Sequence, residues 1–182
     1  MTVIRRISPS EWELLKQVRL AALTDSPGAF SATLEQAQQM PESTWQQRAQ
    51  SGAEGRDSFC TLAIHDDKPV GIAVGLPDTE EPARAYLVSM WVAPAHRGSE
   101  VAPSLLAQVT EWAAAQGARV LFAGVKPANA RAIAFYQKMG FVRYKGIPPD
   151  HPATTGCEVV LHRELRKGSE QVAQDDASKP RA

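Results

Sequence analysis

The stretch that most restricts the fold of this chain is residues 87–106, LVSMWVAPAHRGSEVAPSLL. It opens with an apolar run that is typical of a buried strand. A segment with a proline, an arginine and a glycine follows, and it predicts a tight loop. After the loop the apolar residues recur at helical spacing, at Val101, Leu105, Val109 and Trp112. The stretch therefore predicts a strand that passes through a short loop into a helix.

The loop between this strand and this helix is suited to an anion. The first N–H groups of a helix lack intrahelical acceptors, and the helix dipole makes that end positive. Arg97 supplies a forked donor for phosphate, and Gly98 lets the backbone approach an anion closely. An ordinary strand-to-helix turn explains the same pattern, so the loop alone leaves both interpretations open.

Residues 97–102 carry a more specific pattern. They read Arg97-Gly98-Ser99-Glu100-Val101-Ala102, which resembles the acetyl-CoA-binding signature of the GNAT acetyltransferases, Arg/Gln-x-x-Gly-x-Gly/Ala. Two positions depart from that pattern, because Glu100 stands at the central glycine and Pro103 lies just inside the helix. A proline is tolerated in a first turn. A carboxylate beside a diphosphate is repelled unless its side chain turns into solvent.

A second stretch, residues 127–141 (PANARAIAFYQKMGF), resembles another GNAT signature, Asn-x-x-Ala-x-x-x-Tyr-x-x-x-Gly-Phe. The matching residues are Asn129, Ala132, Tyr136, Gly140 and Phe141. Asn129 is a good helix N-cap, and Gly140 suits a helix end. We therefore predict a helix over residues 130–139, followed by a strand over residues 141–145.

Strands and helices are also predicted around these two stretches. The N-terminal helix should start at Ser8 and Pro9, with Glu11 closing a capping box, and run to about Thr24. Because strand 119–125 follows a strand–helix unit, it should lie parallel to strand 87–92. In chain order the remaining predictions are a strand at 2–7, an ambiguous segment at 32–40, a helix at 41–50, a loop at 51–57, a hairpin of strands at 58–64 and 70–76, a strand at 84–92 and a final strand at 156–165.

The resemblance implies the GNAT acyl-CoA N-acyltransferase fold. This is an α/β (α+β) architecture in which a mixed, mostly antiparallel central sheet is flanked by helices. The length of 182 residues fits one domain, which we place at residues 1–166. Residues 167–182 are polar and predict a disordered tail.

The resemblance also implies how acetyl-CoA is bound. Residues 97–102 are expected to bind its diphosphate through their backbone N–H groups and the Arg97 side chain. The backbone of Met90, Trp91 and Val92 is expected to pair with the pantetheine arm as a neighbouring strand would. An N–H near Val92 is expected to face the developing oxyanion.

Two interpretations are open for the role of Asn129 and two for the role of Tyr136. Asn129 is either a helix cap alone or a cap that also contacts the cofactor. Tyr136 is either a helix residue packed in the core or the acid that protonates the leaving thiolate. The implied reaction is acetyl transfer from acetyl-CoA to a primary amine of a small molecule or peptide, by direct attack in a ternary complex.

The group that deprotonates the amine stays open. A water relay needs no single base, and six side chains are conceivable bases: Glu35, Asp78, Glu80, Glu81, His151 and Glu158. The four histidines show no metal-ligand spacing, and Cys60 and Cys157 pair with none of them, so no metal site is expected. Two cysteines also make a disulfide framework unexpected.

The charge balance and the lengths of the apolar runs limit which partners and which cellular location are expected. Lys+Arg and Asp+Glu number 20 each, so no net charge points to nucleic acid. No apolar run approaches the roughly 18 residues of a membrane span, and no signal-type segment opens the chain. We expect a cytoplasmic, soluble protein that binds neither nucleic acid nor membrane, and the resemblance is compatible with a homodimer.

Two other function classes stay open at this stage. A catalytically weakened acyl-CoA-binding or sensing module would explain Glu100 in the loop, whereas intact Asn129 and Tyr136 argue against it. A generic mononucleotide-binding α/β protein would explain the strand–loop–helix unit. The antiparallel strands predicted before that unit argue against this third class.

Overall fold

The structure, a computed structural model, describes residues 1–165. Its seven strands are β1 Thr2–Arg6, β2 Phe59–His65, β3 Lys68–Pro77, β4 Arg84–Val92, β5 Val120–Val125, β6 Val142–Arg143 and β7 Val159–Glu164. They form one sheet in the order β1-β2-β3-β4-β5-β7-β6. All neighbours are antiparallel except β4 and β5, which are parallel. The predicted mixed, mostly antiparallel sheet and its parallel crossover are therefore confirmed.

Five α-helices within residues 1–165 cover the two faces of the sheet. They are α1 Trp12–Asp25, α2 Leu34–Gln38, α3 Glu42–Glu54, α4 Val101–Ala115 and α5 Ala130–Lys138. On one face α1 and α3 bury Val18, Trp45 and Ala49 against β2 and β3. On the other face α4 buries Leu105, Leu106 and Val109. The apolar spacing that predicted α4 is thus the stripe that faces the core.

The loss of sheet pairing at one point of β4 is the feature that positions the site. β4 pairs with β5 only from Arg84 to Leu87. Beyond that point Ser89 adopts φ 55°, and the register with β3 shifts so that two β4 residues oppose one on β3. Such a bulge bends the strand and increases its twist. Residues 88–92 consequently keep β3 on one side and leave their other backbone edge without a strand.

The start of α1 differs from the prediction. The helix begins at Trp12 rather than at Ser8 and Pro9, and Glu11 is its N-cap. The capping contact itself is present, because the Ser8 N–H donates to Oε2 of Glu11 at 2.7 Å. The same carboxylate pairs with Arg5 of β1 at 2.5 Å. Residues 8–11 therefore form a turn tied to the sheet, and the helix starts after it.

The loop predicted at residues 51–57 is also partly wrong. Helix α3 continues through Glu54 and ends at Gly55, which has φ 72°. The small residues that suggested a loop are instead contacts to the sheet: Gly52 is buried against Cys60, and the Ser51 hydroxyl lies 2.9 Å from that of Ser58. The ambiguous segment at 32–40 contains α2, which has a Thr33/Gln36 capping box.

Two further predictions concern membrane-spanning helices and the C-terminal tail. None of the helices within residues 1–165 is both long and apolar enough to cross a bilayer. The polar tail predicted at residues 167–182 lies outside the described residues, so it and the domain boundary stay predictions.

We predict that Gly52→Ala destabilises the protein although it adds a better helix former. In an open helix interior this change stabilises by about 1 kcal/mol. At Gly52 the added Cβ would lie 2.6 Å from Cys60 Cβ, so α3 or β2 must shift. We expect the free energy of unfolding in urea to fall by roughly 1–3 kcal/mol. Gly28→Ala is the control, because no atom lies within 4 Å of its added Cβ; equal stability of the two variants would contradict the packing argument.

Candidate functional site

The start of α4 presents unpaired backbone donors. Gly98 has φ 77°, and Glu100 precedes the helix with no side-chain cap. Val101 N–H has only a long contact, 3.4 Å, to the Ser99 hydroxyl. The N–H groups of Gly98, Ser99, Glu100 and Ala102 have no hydrogen-bond acceptor among the described residues. A 15-residue helix with open N–H groups at its first turn has the geometry that favours binding of an anion.

A cavity of about 390 Å³ lies beside this helix start, and we call it the α4 cavity. It is bounded by the end of β4, by the loop before α4 and by one face of α5. Most of the predicted site residues line it: Met90, Trp91, Val92, Arg97, Gly98, Ala102, Asn129 and Tyr136. The structure thus brings together two signatures that lie about 30 residues apart in the sequence.

Three residues predicted to bind the cofactor do not line the α4 cavity. Val101 is buried in the core under α4. Ser99 and Glu100 are exposed and, with Thr2 and Ile4, border a separate small depression. Only the backbone N–H groups of these residues can therefore take the predicted role. Glu100 does not line the α4 cavity, so its carboxylate gives no ground to expect repulsion of an anion bound there.

The Arg97 side chain is engaged within the protein. Its Nη2 donates to the Asp25 carboxylate, and its Nε donates to the Val92 carbonyl at 2.9 Å. In this arrangement the guanidinium holds the loop against β4 and the end of α1, whereas the sequence predicted that it binds phosphate. The same Asp25 oxygen accepts the Trp91 indole N–H at 2.9 Å.

The Asp25 carboxylate is strongly favoured in its ionised form. Partial desolvation opposes ionisation, but hydrogen bonds from Ser26, Trp91 and Arg97, together with the Arg97 charge, outweigh it and lower the pKa of Asp25 to about 2. The carboxylate therefore stays charged throughout the neutral range and keeps the α4 loop, β4 and α1 joined.

Tyr136 lies at the floor of the α4 cavity. Its ring is buried between Phe135 and Phe141, at centroid distances of 5.4 and 5.3 Å. Its hydroxyl has no hydrogen-bond partner among the described residues, and burial raises the pKa of Tyr136 above its usual value. The phenol is consequently a proton-bearing donor that faces the cavity at neutral pH.

Asn129 acts as the cap that the sequence predicted. Its side-chain oxygen accepts the Ala132 N–H at 3.2 Å, and α5 begins at Ala130. Asn129 also lines the α4 cavity. The prediction that Asn129 caps the helix is therefore confirmed, and its contact with a cofactor stays a prediction.

Two further cavities continue from the α4 cavity along β4. The bulge cavity, about 210 Å³, shares Ala29 and Phe30 with the α4 cavity and reaches Ser89 and Lys126. The α1–α3 cavity, about 610 Å³, lies beyond it and shares Arg19, Val88 and Ser89 with the bulge cavity. A row of openings therefore runs from the α4 helix start, past the bulge, to the space under α1 and α3.

Comparison with known proteins identifies the protein family to which the chain belongs. The profile of the Acetyltransferase (GNAT) family matches residues 21–141, which include β4, the α4 loop and α5. The chain belongs to the GNAT family of acetyltransferases.

Relatives and solved GNAT structures agree with this placement. The spore coat polysaccharide biosynthesis protein SpsD of Bacillus subtilis is 32% identical over 97 residues, which cover 53% of this chain and 32% of SpsD. The chain thus matches about a third of that protein's length. A GNAT acetyltransferase of Streptococcus pneumoniae superposes with a TM-score of 0.73 at 19% identity, covering 91% of this chain and all of that one. The PaiA N-acetyltransferase of Thermoplasma acidophilum, in complex with coenzyme A, superposes with a TM-score of 0.71 at 16% identity. The match covers 90% of this chain and 99% of that one.

None of the six conceivable bases lines the α4 or bulge cavity of this GNAT protein. Asp78 accepts the Tyr86 hydroxyl at 2.7 Å and two backbone N–H groups, so it stabilises a turn. The His151 ring stacks on Tyr86 at 3.8 Å, and burial lowers its pKa in spite of the Asp78 charge. Glu35 pairs with Gln39 on α2. The other three, Glu80, Glu81 and Glu158, are exposed.

Several residues of the α4 cavity were not found from the sequence. Phe135 lies one position from Tyr136 on α5, and its helical spacing from Ala132 is a signal that could have found it. Ala29 and Phe30, and Asp25, which bonds to two lining residues, could not be found this way, because they lie more than 50 residues before β4 in the sequence.

We predict that Asp25→Asn lowers stability more at neutral pH than at pH 3. A carboxylate with a depressed pKa stabilises the folded state above its unfolded pKa of about 3.9, and this contribution is lost as the pH falls toward 2. The side chain is partly open to solvent, so screening should reduce the effect to about 1 kcal/mol. Urea unfolding at pH 7 and at pH 3 would measure it. A deficit that stays constant between these pH values would contradict the ionic contribution.

Proposed function

We propose that this chain transfers an acetyl group from acetyl-CoA to a primary amine of a small molecule or peptide, by direct attack in a ternary complex. The observation that carries the proposal is the set of unpaired N–H groups at the start of α4 beside a cavity lined by both signatures. Amides oriented in this way bind a diphosphate without a dedicated side chain.

The exposed edge of β4 supports the placement of the rest of the cofactor. Residues 88–92 lack a neighbour on the β5 side, so the backbone groups on that side, apart from the Val92 carbonyl that accepts from Arg97, are free to pair with the two amides of the pantetheine arm. Trp91 is in register with Ile72, and Ala93 N–H donates to Val70 at 2.8 Å. Because backbone groups of a strand alternate in direction, the Val92 N–H faces the open side. This is the donor we assign to the developing oxyanion.

The chemistry needs little more from the protein. The neutral amine nitrogen forms a bond to the thioester carbonyl carbon, the carbon–sulfur bond then breaks, and the thiolate takes a proton. We assign to Tyr136 a hydrogen bond that stabilises the thiolate. Burial raises the pKa of the phenol further above that of a thiol, so a hydrogen bond is favoured over full proton transfer. With none of the six conceivable bases lining the α4 or bulge cavity, we assign removal of the amine proton to water.

The two other function classes lose their support. The weakened binding module was based on Glu100, whose side chain lies outside the α4 cavity. The mononucleotide-binding class is replaced by membership of the GNAT family. The cytoplasmic location, the homodimer and the absence of nucleic-acid partners stay predictions.

A two-step experiment tests the proposal. Acetyl-CoA is titrated against the protein by thermal shift, and coenzyme A release is then followed with a thiol reagent on a panel of amines. Stabilisation together with amine-dependent thiol release is expected. Stabilisation by ADP without stabilisation by acetyl-CoA would contradict the proposal.

We predict that Ala102→Glu weakens acetyl-CoA binding. Ala102 lines the α4 cavity in the first turn of α4, so the new carboxylate would lie near the diphosphate and repel it. We expect the dissociation constant, measured by calorimetry, to rise at least about tenfold, which corresponds to roughly 1.4 kcal/mol. The matched control is Ala107→Glu on the exposed face of the same helix, which should stay within about twofold of the wild type. Equal affinities of the two variants would place the diphosphate elsewhere.

We predict that Tyr136→Phe lowers kcat and leaves acetyl-CoA affinity nearly unchanged. The substitution removes only the hydroxyl that faces the cavity and keeps the buried ring. Loss of a hydrogen bond made mainly in the transition state should reduce kcat about 10- to 1000-fold. Steady-state kinetics with calorimetry would separate the two parameters. An unchanged kcat would remove Tyr136 from the reaction.

A further inference from the structure

The α1–α3 cavity contains buried donors that the proposed acetyl transfer does not use. It lies between α1, α3 and the β3–β4 part of the sheet and has a volume of about 610 Å³. Within residues 1–165 only two side-chain nitrogen or oxygen atoms that are themselves closed off from solvent lack a hydrogen-bond partner, Nη1 of Arg19 and Nε1 of Trp45. Both side chains line this one cavity. Buried donors are nearly always paired, so two unpaired donors in one cavity indicate a ligand with acceptor atoms.

Charge in the α1–α3 cavity points to an anionic ligand. Arg19 and Arg48 both line it, and neither forms an ion pair within the described part of the chain. Burial lowers the pKa of Arg19, and the positive charge of Arg48 lowers it further. The nearest thiol does not neutralise them, since burial raises the pKa of Cys60 to about 12. Asp57 is the acidic residue of the lining, and it is exposed.

Both guanidinium groups are held in place by aromatic rings. The Arg19 guanidinium lies 4.9 Å from the centroid of Phe30, and that of Arg48 lies 5.6 Å from the centroid of Trp45. Stacking of this kind restricts a long side chain without using its hydrogen-bond donors. The partly buried Arg19 donors are therefore positioned before any ligand binds, which reduces the entropic cost of binding, whereas the Arg48 side chain is exposed.

The same arginine connects this cavity to the place where acetyl transfer would occur. Arg19 lines both the α1–α3 cavity and the bulge cavity, and the bulge cavity shares Ala29 and Phe30 with the α4 cavity. A molecule with its amine beside the β4 bulge can thus extend toward Arg19 and Trp45 on the side away from the α4 helix start.

We propose that the acceptor amine also carries a carboxylate, which binds Arg19 and the Trp45 indole N–H in the α1–α3 cavity. This inference rests on the proposed acetyl transfer and adds the substrate class. A carboxylate matches the site because its two coplanar oxygens fit a guanidinium fork and one further N–H donor. The two unpaired buried donors match the two oxygens of a carboxylate better than the three terminal oxygens of a phosphate.

The test compares amines that differ only in the acidic group. Coenzyme A release from acetyl-CoA is measured with α-amino acids and with unbranched ω-amino carboxylates, each beside its carboxamide and its phosphate monoester analogue. We expect at least one carboxylate to exceed its carboxamide in kcat/KM by roughly 10- to 100-fold, as for hydrogen bonds to a charged group.

Variants assign this preference to the cavity. Arg19→Met should remove most of the preference by raising KM for the carboxylate while leaving the carboxamide nearly unchanged. Trp45→Phe removes the N–H and leaves a smaller ring in the buried position, so it should cost a smaller part of the preference. Arg143→Met is the control, because Arg143 is exposed on β6, which lies at the far edge of the sheet. Thermal melts establish that each variant is folded.

The outcomes separate this inference from the proposed function. Turnover of carboxamides equal to that of carboxylates, or a carboxylate preference that survives in Arg19→Met, would overturn the inference and leave acetyl transfer intact. A preference for phosphate monoesters would overturn the choice of carboxylate. If no amine is turned over, calorimetry with the carboxylates in the presence of coenzyme A still decides the matter, since wild-type binding lost in Arg19→Met supports the site and equal or absent binding overturns it.

Discussion

The site depends on the point where β4 stops pairing with β5. Had the parallel ladder continued past Leu87, the edge of residues 88–92 would be occupied by β5. The bulge at Ser89 prevents this by adding one residue to β4 relative to β3 and bending the strand. The α4 and bulge cavities both border β4 on the far side of this divergence. A local irregularity of the backbone thus provides the opening that the helix start and α5 then line.

A second interaction joins parts of the chain that are far apart in sequence. Asp25 ends α1, yet its carboxylate accepts hydrogen bonds from Trp91 on β4 and Arg97 in the loop before α4. The arginine therefore contributes to the site chiefly by fixing the loop, whose backbone N–H groups stay free. Because the backbone N–H groups, and not the side chains, are left free in this loop, Glu100 is tolerated at the position of the family's central glycine. The Glu100 side chain is not required to face a ligand.

Much of the fold was predictable because local patterns and the tertiary structure agree. The bounds of β4 and the start of α4 follow from apolar spacing, and the ends of α4 and α5 follow from Gly117 and Gly140, both with positive φ. The prediction of a loop at residues 51–57 was wrong because small residues serve two purposes. At Gly52 the absence of a side chain allows α3 to approach β2, and no local signal distinguishes this from a turn.

The site was predictable only where its residues belong to a motif that is continuous in the sequence. Residues 97–102 and 129–136 carry their own pattern, so their meeting at the α4 cavity could be expected. Arg19, Asp25 and Phe30 carry none, because their importance arises from contacts with β4 and α3 that only the folded chain creates. Sequence reasoning accordingly indicated the cofactor side of the site and left the acceptor side open.

One helix therefore serves both halves of the site. Arg19 and Asp25 lie six residues apart on α1, or about 9 Å along its axis. Any shift or rotation of α1 that reshapes the acceptor end also moves the carboxylate that fixes the cofactor loop. Under the proposed function, a change of acceptor is consequently easier through substitutions on α3 or in the segment after Pro27 than through displacement of this helix.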